Sequence, residues 1–431
     1  MSQSTVTIAV LGCGTVGSQV VRLLGERGDD YAARCGAELN VIGIAVRDVE
    51  APRPDFIDRQ LLTTDAEALI DRADIVIELI GGIEPARTYV LRALNRGCSV
   101  VTGNKALLAT HGPELFDAAR EADADFYFEA AVAGAVPVVY GLRESLAGDR
   151  VEDVLGIVNG TTNYILDQMT TQGWTYDQAL AKAQELGYAE ADPTADVDGL
   201  DAAAKCAILA SLAFHTRVGI DDVSVTGIRS ITPEDIRAAG AANSQIKLLA
   251  HAHRVQRADG EAVSVRVAPT LVANDNPLAS VSGAFNAVVI DSEAAGRLMF
   301  YGQGAGGVQT ASAVLSDVVA AATHVAHGGS APHESTYESL PILPASETTS
   351  EFHIRLAVAD RTGVLAEVAG IFAEHGISIA AVSQTYEADA SLPTLTITTH
   401  ATSRSSIDTA LADLHNTSSV DRVIAVMNKE A

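Results

Sequence analysis

The chain has 431 residues, 48% of them apolar, and a formal net charge of −26, enough apolar material for cores in roughly two to four domains. With 55 acidic against 29 basic residues and no basic run, it offers no face to a nucleic-acid backbone. Cys13, Cys35, Cys98 and Cys206 lie far apart without metal-ligand spacing, no secretory leader is read, and no apolar run reaches the roughly 18 residues of a membrane span, so the expectation is a soluble, cytoplasmic protein.

The opening segment VTIAVLGCGTVGSQVVRLLGERGDD reads as strand, glycine turn, helix. Gly12 permits the tight turn, Gly14 lets the backbone approach a pyrophosphate, and Gly17 lets helix and strand pack closely. The helix N-terminus then faces the phosphates, which makes Gly12, Cys13, Gly14, Thr15, Val16 and Gly17 a dinucleotide-binding turn. The strands ELNVIGIAVRD, ADIVIELIGG and CSVVTGNKALLA follow with helical spacers, the rhythm of a parallel, doubly wound Rossmann-type sheet over residues 1–130. At the end of the second strand an acid would hold ribose hydroxyls and an arginine a 2'-phosphate; Arg47 and Asp48 are both there, and Arg47 favours NADP with NAD still open. Gly81 joins this cofactor set, and Lys105, at the carboxyl end of a strand, lies where open sheets bind ligands. Glu129, at the end of an aromatic strand, reads on chemistry alone as a core glutamate bonded to backbone amides, with a hard-cation site as the alternative.

Past residue 130 the pattern becomes a second α/β unit over 131–305, with strands in VEDVLGIVNGTTNYIL, VSVRVAPTLVA and NAVVIDSE around a helical region from about 193 to 215. YGQGAGGVQTASAVLSDVVAAA opens a small-residue helix, 306–327, suited to lying back on the first domain. Residues 328–350 have linker composition, and 351–431 start afresh as strand, helix, strand.

The stretch GYAEADPTADVDGLDAAAKCAILA sets Glu190, Asp192, Asp196, Asp198 and Asp201 against the lone Lys205, just before a wholly apolar run. Read as one helix from Pro193, it projects Asp198, Asp201 and Lys205 from one face, a partly desolvated lysine beside a carboxylate and therefore a tunable proton donor. The plain alternative is an i,i+4 ion pair near a helix start. The acid surplus favours a ligand with an ammonium group, and Asn159, Thr161, Thr162 and Asn163 offer donors for a carboxylate, so the set describes an amino-acid pocket.

These blocks resemble homoserine dehydrogenase. AQELGYAEADPTADVDGLDAAAK is similar to that family's signature, and GCGTVG, GNKALLA, EAAVAGAVP, NGTTNYIL and YGQGAGGVQTASAVLSD follow in the family's order over about residues 5–325. The one departure is Gln303, where the family often has proline. The tail resembles an ACT domain, a small ferredoxin-like amino-acid sensor. The resemblance implies a catalytic and dimerisation unit at 131–305, with Lys205 as the acid that protonates the carbonyl of aspartate semialdehyde and Asp201 orienting it. It further implies substrate binding by Glu190, Asp196, Asn159, Gly160, Thr161 and Lys105, and closure of Gly304, Gly306 and Gly307 over the cofactor. It makes Glu129 with the backbone of Val132, Gly134 and Val136 a sodium site, and it implies a homodimer or homotetramer whose tail is either a sensor for threonine as effector or a plain dimerisation module. Another NADP-dependent semialdehyde reductase, or a silent amino-acid sensor, stands as the alternative; the first should lack the Glu190, Asp201, Lys205 spacing and the second the lysine.

Overall fold

In the computed structural model, which describes residues 4–386 and 392–430, the chain forms two units. The first runs to Gly160 and adds Asp201–Asp221 and Phe285–Leu340; the second takes Thr161–Leu200, Asp222–Ala284 and the chain from Pro341 onward.

Six parallel strands form the first sheet of the first unit, in the order Leu62–Thr63, Ala37–Ala45, Ser4–Leu11, Ile75–Glu78, Ser99–Thr102, Phe126–Tyr127. The central strands are apolar runs with Ile8, Val10, Ile44, Ile75, Ile77 and Val101 fully buried, as a sheet covered on both faces requires. Strand order reverses beside Ser4–Leu11, and that switch point opens a crevice at the carboxyl ends. The helix Gly307–His327 packs Ala311, Val314, Val318, Ala321 and Ala322 into the same core as Val20, Leu23 and Leu24 of the helix Thr15–Cys35, because its small side chains permit a close approach. This is the expected doubly wound nucleotide-binding fold.

The same unit holds three antiparallel strands, Val151–Ile157, Phe285–Ser292 and Gly296–Gln303, with Phe285–Ser292 in the middle. The helix Leu200–Phe214 is buried along most of its length because alanines and aliphatics occupy every side of it. The strand Gly296–Gln303 was not among the expected strands: its mostly exposed GRLMFYGQ pattern lacks the apolar run by which its neighbour was read. Ser244–Arg257 in the second unit was missed because Lys247, His251, His253 and Arg254 interrupt its apolar run, although Lys247 and His251 are buried.

Residues 328–340 form no helix or strand but are fastened to the first unit. The Ala331 amide donates to Asp125 Oδ1 (2.6 Å), Arg217 pairs with Glu334 (2.6 Å), and the Tyr337 ring stacks on His215 at 4.6 Å.

In the second unit the hairpin Ser244–Arg257 and Gly260–Ala273 is followed along its sheet by Val420–Glu430, Thr349–Val358, Thr394–Thr399 and Ile379–Thr385. With the helices Val364–Glu374 and Arg404–His415, the tail is a ferredoxin-like βαββαβ domain whose core holds Phe352, Ile354, Leu356, Val368, Phe372 and Leu414. Leu271 lies opposite Lys429, so the tail's last strand pairs directly with Gly260–Ala273. Arg355 donates to Asp235 Oδ1 at 2.7 Å with both side chains buried. Breaking a buried pair from one side strands the other charge. Arg355→Met is therefore expected to lower the stability of the chain by about 3 kcal/mol in urea denaturation; a change within a few tenths of the wild-type value would show that Asp235 does not depend on the arginine.

Candidate active site

The turn after Ser4–Leu11 is dictated by contact. Gly12 has φ of +99°, and a Cβ there would lie 2.6 Å from the Leu79 carbonyl oxygen; a Cβ on Gly17 would lie 2.1 Å from the Gly12 oxygen. A Cβ on Gly14 would meet no protein atom within 4 Å, so that position faces open space at the N-terminus of Thr15–Cys35, whose first turn carries no acid. An anion is favoured at such a terminus, and the residues present fit the pyrophosphate of a dinucleotide. Gly81, at φ of +78°, donates its amide to Glu78 Oε1 (3.3 Å). Arg47 is exposed. The arginine that turns toward the glycines is Arg53, which donates to the Cys13 oxygen (3.3 Å) and to the Asp48 oxygen (2.8 Å). Burial raises the Cys13 thiol above its ordinary range, against the pull of that guanidinium.

Lys205 lies in the second turn of Leu200–Phe214, and its Nζ donates to the Val158 oxygen at 2.7 Å and to Asp201 Oδ2 at 2.8 Å. Asp201 Oδ2 also accepts from Asn159 Nδ2 (2.9 Å), and Asp201 Oδ1 pairs with Lys105 Nζ (3.0 Å). Side-chain exposure falls from 42% at Lys105 to 11% at Lys205 and 9% at Asp201, so the cluster reaches from solvent into the interior. Burial alone would push the Asp201 carboxyl up; Lys205 and Lys105, with the hydrogen bonds from Lys205 and Asn159, hold it well below the usual carboxylate range. The result is a lysine amine with two hydrogen bonds committed, beside a carboxylate that its neighbours keep ionised at neutral pH.

Lys105 is the first residue of Lys105–Glu121, whose N-cap Asn104 accepts from the Leu107 amide (3.1 Å) and donates to the Gly82 oxygen (2.7 Å). In the same unit Gly307 sits against Thr15, where a Cβ would be 2.8 Å from the Thr15 oxygen, and Gly306, at φ of +124°, precedes it. Glu129 is buried, its Oε1 accepting from the Val139 amide (3.2 Å) and its Oε2 from the Tyr140 amide (2.7 Å), which is the amide-bonded core glutamate read from chemistry alone. Burial still raises it to about 7. Its own amide donates to Asp317 Oδ2 (2.9 Å), and burial, followed by Glu129, pushes that second carboxyl up as well.

Glu190, Asp196 and Thr161 belong to the second unit. Glu190 is exposed, Asp196 is half-buried in the single turn Thr194–Val197, and Thr161 Oγ1 donates to the Tyr188 oxygen (2.7 Å). One expectation is corrected. Asp198 does not share a helix face with Asp201 and Lys205: Gly199, at φ of +84°, separates Thr194–Val197 from Leu200–Phe214, and Asp198 pairs with Arg229 instead. A glycine between two short polar stretches carries this break in the sequence; counting through it as one helix missed it. Sequence reading also missed Arg53, Asp317 and the Val158 carbonyl, which enter only through contacts between distant segments.

A cavity of about 200 Å³ elsewhere in the first unit, lined among others by Leu108, Phe116, Phe128, Ile208 and Tyr337, takes in none of the cluster around Lys205.

Residues 12–129 match the family model for the homoserine dehydrogenase NAD-binding domain, 137–319 that for homoserine dehydrogenase, and 352–418 that for the ACT domain. The chain is 58% identical over 384 residues to a homoserine dehydrogenase of Corynebacterium glutamicum, covering 88% of this chain and 86% of that one. It is 54% identical over 385 residues to one of Mycobacterium tuberculosis, covering 89% and 87%. Among solved structures, a homoserine dehydrogenase from Thiobacillus denitrificans superposes with a TM-score of 0.92 at 37% identity, covering 99% of each chain. A hyperthermophilic archaeal homoserine dehydrogenase in complex with NADPH gives 0.61 at 30% identity, covering 74% of this chain and 97% of that one.

The depressed Asp201 carboxyl binds its proton less readily folded than unfolded, so its contribution to stability is present above the ordinary carboxylate pKa and lost as pH falls toward the folded value. The stability gap between wild type and Asp201→Asn in urea denaturation is accordingly expected to be full above about pH 5 and to shrink below about pH 4. A gap unchanged from neutral to strongly acid pH would contradict the assigned pairing.

Proposed function

Because the chain belongs to the homoserine dehydrogenase family, we propose that Lys205 is its proton donor and Asp201 the residue that holds Lys205 in place. The activity is that of an oxidoreductase interconverting L-aspartate 4-semialdehyde and L-homoserine with a nicotinamide dinucleotide. When bound, the dinucleotide supplies the hydride in reduction and receives it in oxidation. Lys205 Nζ gives its proton to the aldehyde oxygen in reduction and takes the hydroxyl proton of homoserine in oxidation.

The observation that carries this reading is the commitment of the Lys205 amine to Val158 and Asp201, which fixes its direction and leaves one N–H for a substrate oxygen. Asp201 stays ionised and keeps the amine in register, while Lys105, on its other oxygen, adds positive charge where a developing alkoxide is stabilised. Asn159, Gly160 and Thr161, with Glu190 and Asp196, serve the amino-acid end of the substrate. The glycine turn, with Gly81, Gly304, Gly306 and Gly307, holds the dinucleotide. An archaeal relative bound to NADPH and the guanidinium of Arg53 beside the turn support NADP, with Arg47 near the strand end as a second cation for a 2'-phosphate.

Buried Glu129, as a carboxylate, and the carbonyls of Val132, Gly134 and Val136 are an all-oxygen donor set of the kind that suits a hard monovalent cation, in a structural role. The ACT domain suits an amino-acid effector, with threonine as the reading. The exposed end strand Ile379–Thr385, with Val382 and Tyr386 uncovered, suits pairing with a second copy, and the four free thiols suit a reducing cytoplasm.

General acid catalysis by a placed lysine contributes about 10²- to 10⁴-fold. Lys205→Ala is expected to bind NADPH within about threefold of wild type while kcat for homoserine oxidation falls at least about 100-fold; turnover near the wild-type value would remove the assigned role. Arg53→Ala assayed with both cofactors is expected to raise KM for NADP about tenfold and to leave KM for NAD nearly unchanged. Equal effects on the two would assign Arg53 to the turn rather than to the phosphate.

A further inference from the structure

We propose that Asn286 is a positioning residue whose single side-chain amide fixes the proton donor and the cofactor loop relative to each other. This rests on the assignment of Lys205 made above. Asn286 stands near the start of the strand Phe285–Ser292 with 1% of its surface exposed. Its Nδ2 donates to the Val158 oxygen at 3.1 Å, the same oxygen that receives Lys205 Nζ at 2.7 Å. A carbonyl oxygen has two lone pairs, and with both engaged its direction is set from two sides. The acceptor that aims the amine of Lys205 is thus itself aimed by Asn286.

The other contact of the amide is with the glycine loop. A Cβ on Gly304 would lie 2.1 Å from Asn286 Cγ and Nδ2, and a Cβ on Gly134 would lie 2.5 Å from the Gly304 oxygen. Gly304 is therefore threaded between Asn286 and Gly134 with no room for a methyl group. Two residues farther on the loop reaches Gly306 and then Gly307, which abuts Thr15 beside the dinucleotide turn. Through one side chain, Lys205 and that turn are joined by a chain of direct contacts inside the first unit.

The chemistry of the residue points the same way. Asn286 Oδ1 is buried without a hydrogen-bond partner among the described residues. An unmet acceptor in the interior destabilises the fold, and an apolar side chain of similar size would avoid it. The donor half of the amide accounts for an asparagine at this position.

Three variants of the full chain separate positioning from space-filling, each checked for folding by circular dichroism. Asn286→Asp keeps the outline beneath Gly304 but replaces the N–H donor by an oxygen. It is expected to lower kcat for homoserine oxidation at least about tenfold, with KM for homoserine and the NADPH dissociation constant, read from nicotinamide fluorescence, within about threefold of wild type. Gly304→Ala drives a methyl into the amide and is expected to weaken NADPH binding at least about tenfold. In the double variant Asn286→Ala with Gly304→Ala the methyl occupies the vacated space; NADPH binding returns to within about threefold of wild type while kcat stays low. The proposal is overturned if Asn286→Asp turns over like wild type, if Gly304→Ala binds NADPH normally, or if the double variant recovers kcat together with binding, since Asn286 would then be a spacer only. Should Asn286→Asp fail to fold, the double variant decides between the two outcomes. An inactive Lys205→Ala alongside a fully active Asn286→Asp would leave the role of Lys205 standing and remove that of Asn286.

Discussion

Everything the site can do follows from one shared carboxylate. Asp201 accepts from Lys205 and Asn159 on one oxygen and pairs with Lys105 on the other, at the point where the helix Leu200–Phe214 leaves solvent. Without that anion two ammonium groups would repel each other at close range, and the inner one would face desolvation alone. With it, a lysine side chain of four rotatable bonds becomes a fixed donor. The helix supplies the spacing, since residues four apart share a face, and the apolar run after Lys205 supplies the burial.

The glycine turn and the glycine loop are specified by exclusion. Gly12, Gly17, Gly304 and Gly307 lie where any side chain would strike backbone or a buried amide, so the turn and the loop meet through main-chain contacts that leave the space beside Gly14 open. The helix Gly307–His327 follows from the same principle: its alanines sink into the core of the nucleotide-binding sheet and bring Gly307 against Thr15. The tail is bound into the second unit by ladder hydrogen bonds between Gly260–Ala273 and Val420–Glu430 and by the buried Arg355–Asp235 pair, so a ligand that shifts the tail acts on a continuous sheet rather than on a loose appendage.

Much of this was legible in the sequence because it is local. The strand, glycine turn and helix at residues 4–35 announce themselves by periodicity, as do the Lys205 helix by its single cation before an apolar run and the tail by its fresh strand and helix pattern. Contacts between remote segments were not legible. Nothing near Asn286 in FNAVVIDS marks it as a partner of Val158, and nothing near Arg53 in APRPD marks it as the arginine beside Cys13. Asp198 was misplaced for a different reason: a glycine at positive φ lay inside a stretch whose charges kept helical spacing, and spacing was followed across it. The resemblance to a family supplied what neither periodicity nor composition can, a substrate and a direction for the proton.

The most direct test of the central claim is a crystal structure of the chain with NADP and homoserine bound. The account predicts Lys205 Nζ within about 3.2 Å of the homoserine hydroxyl oxygen, still held by Asp201 and the Val158 carbonyl. Another side chain on that hydroxyl, with the Lys205 amine turned away from it, would contradict the account.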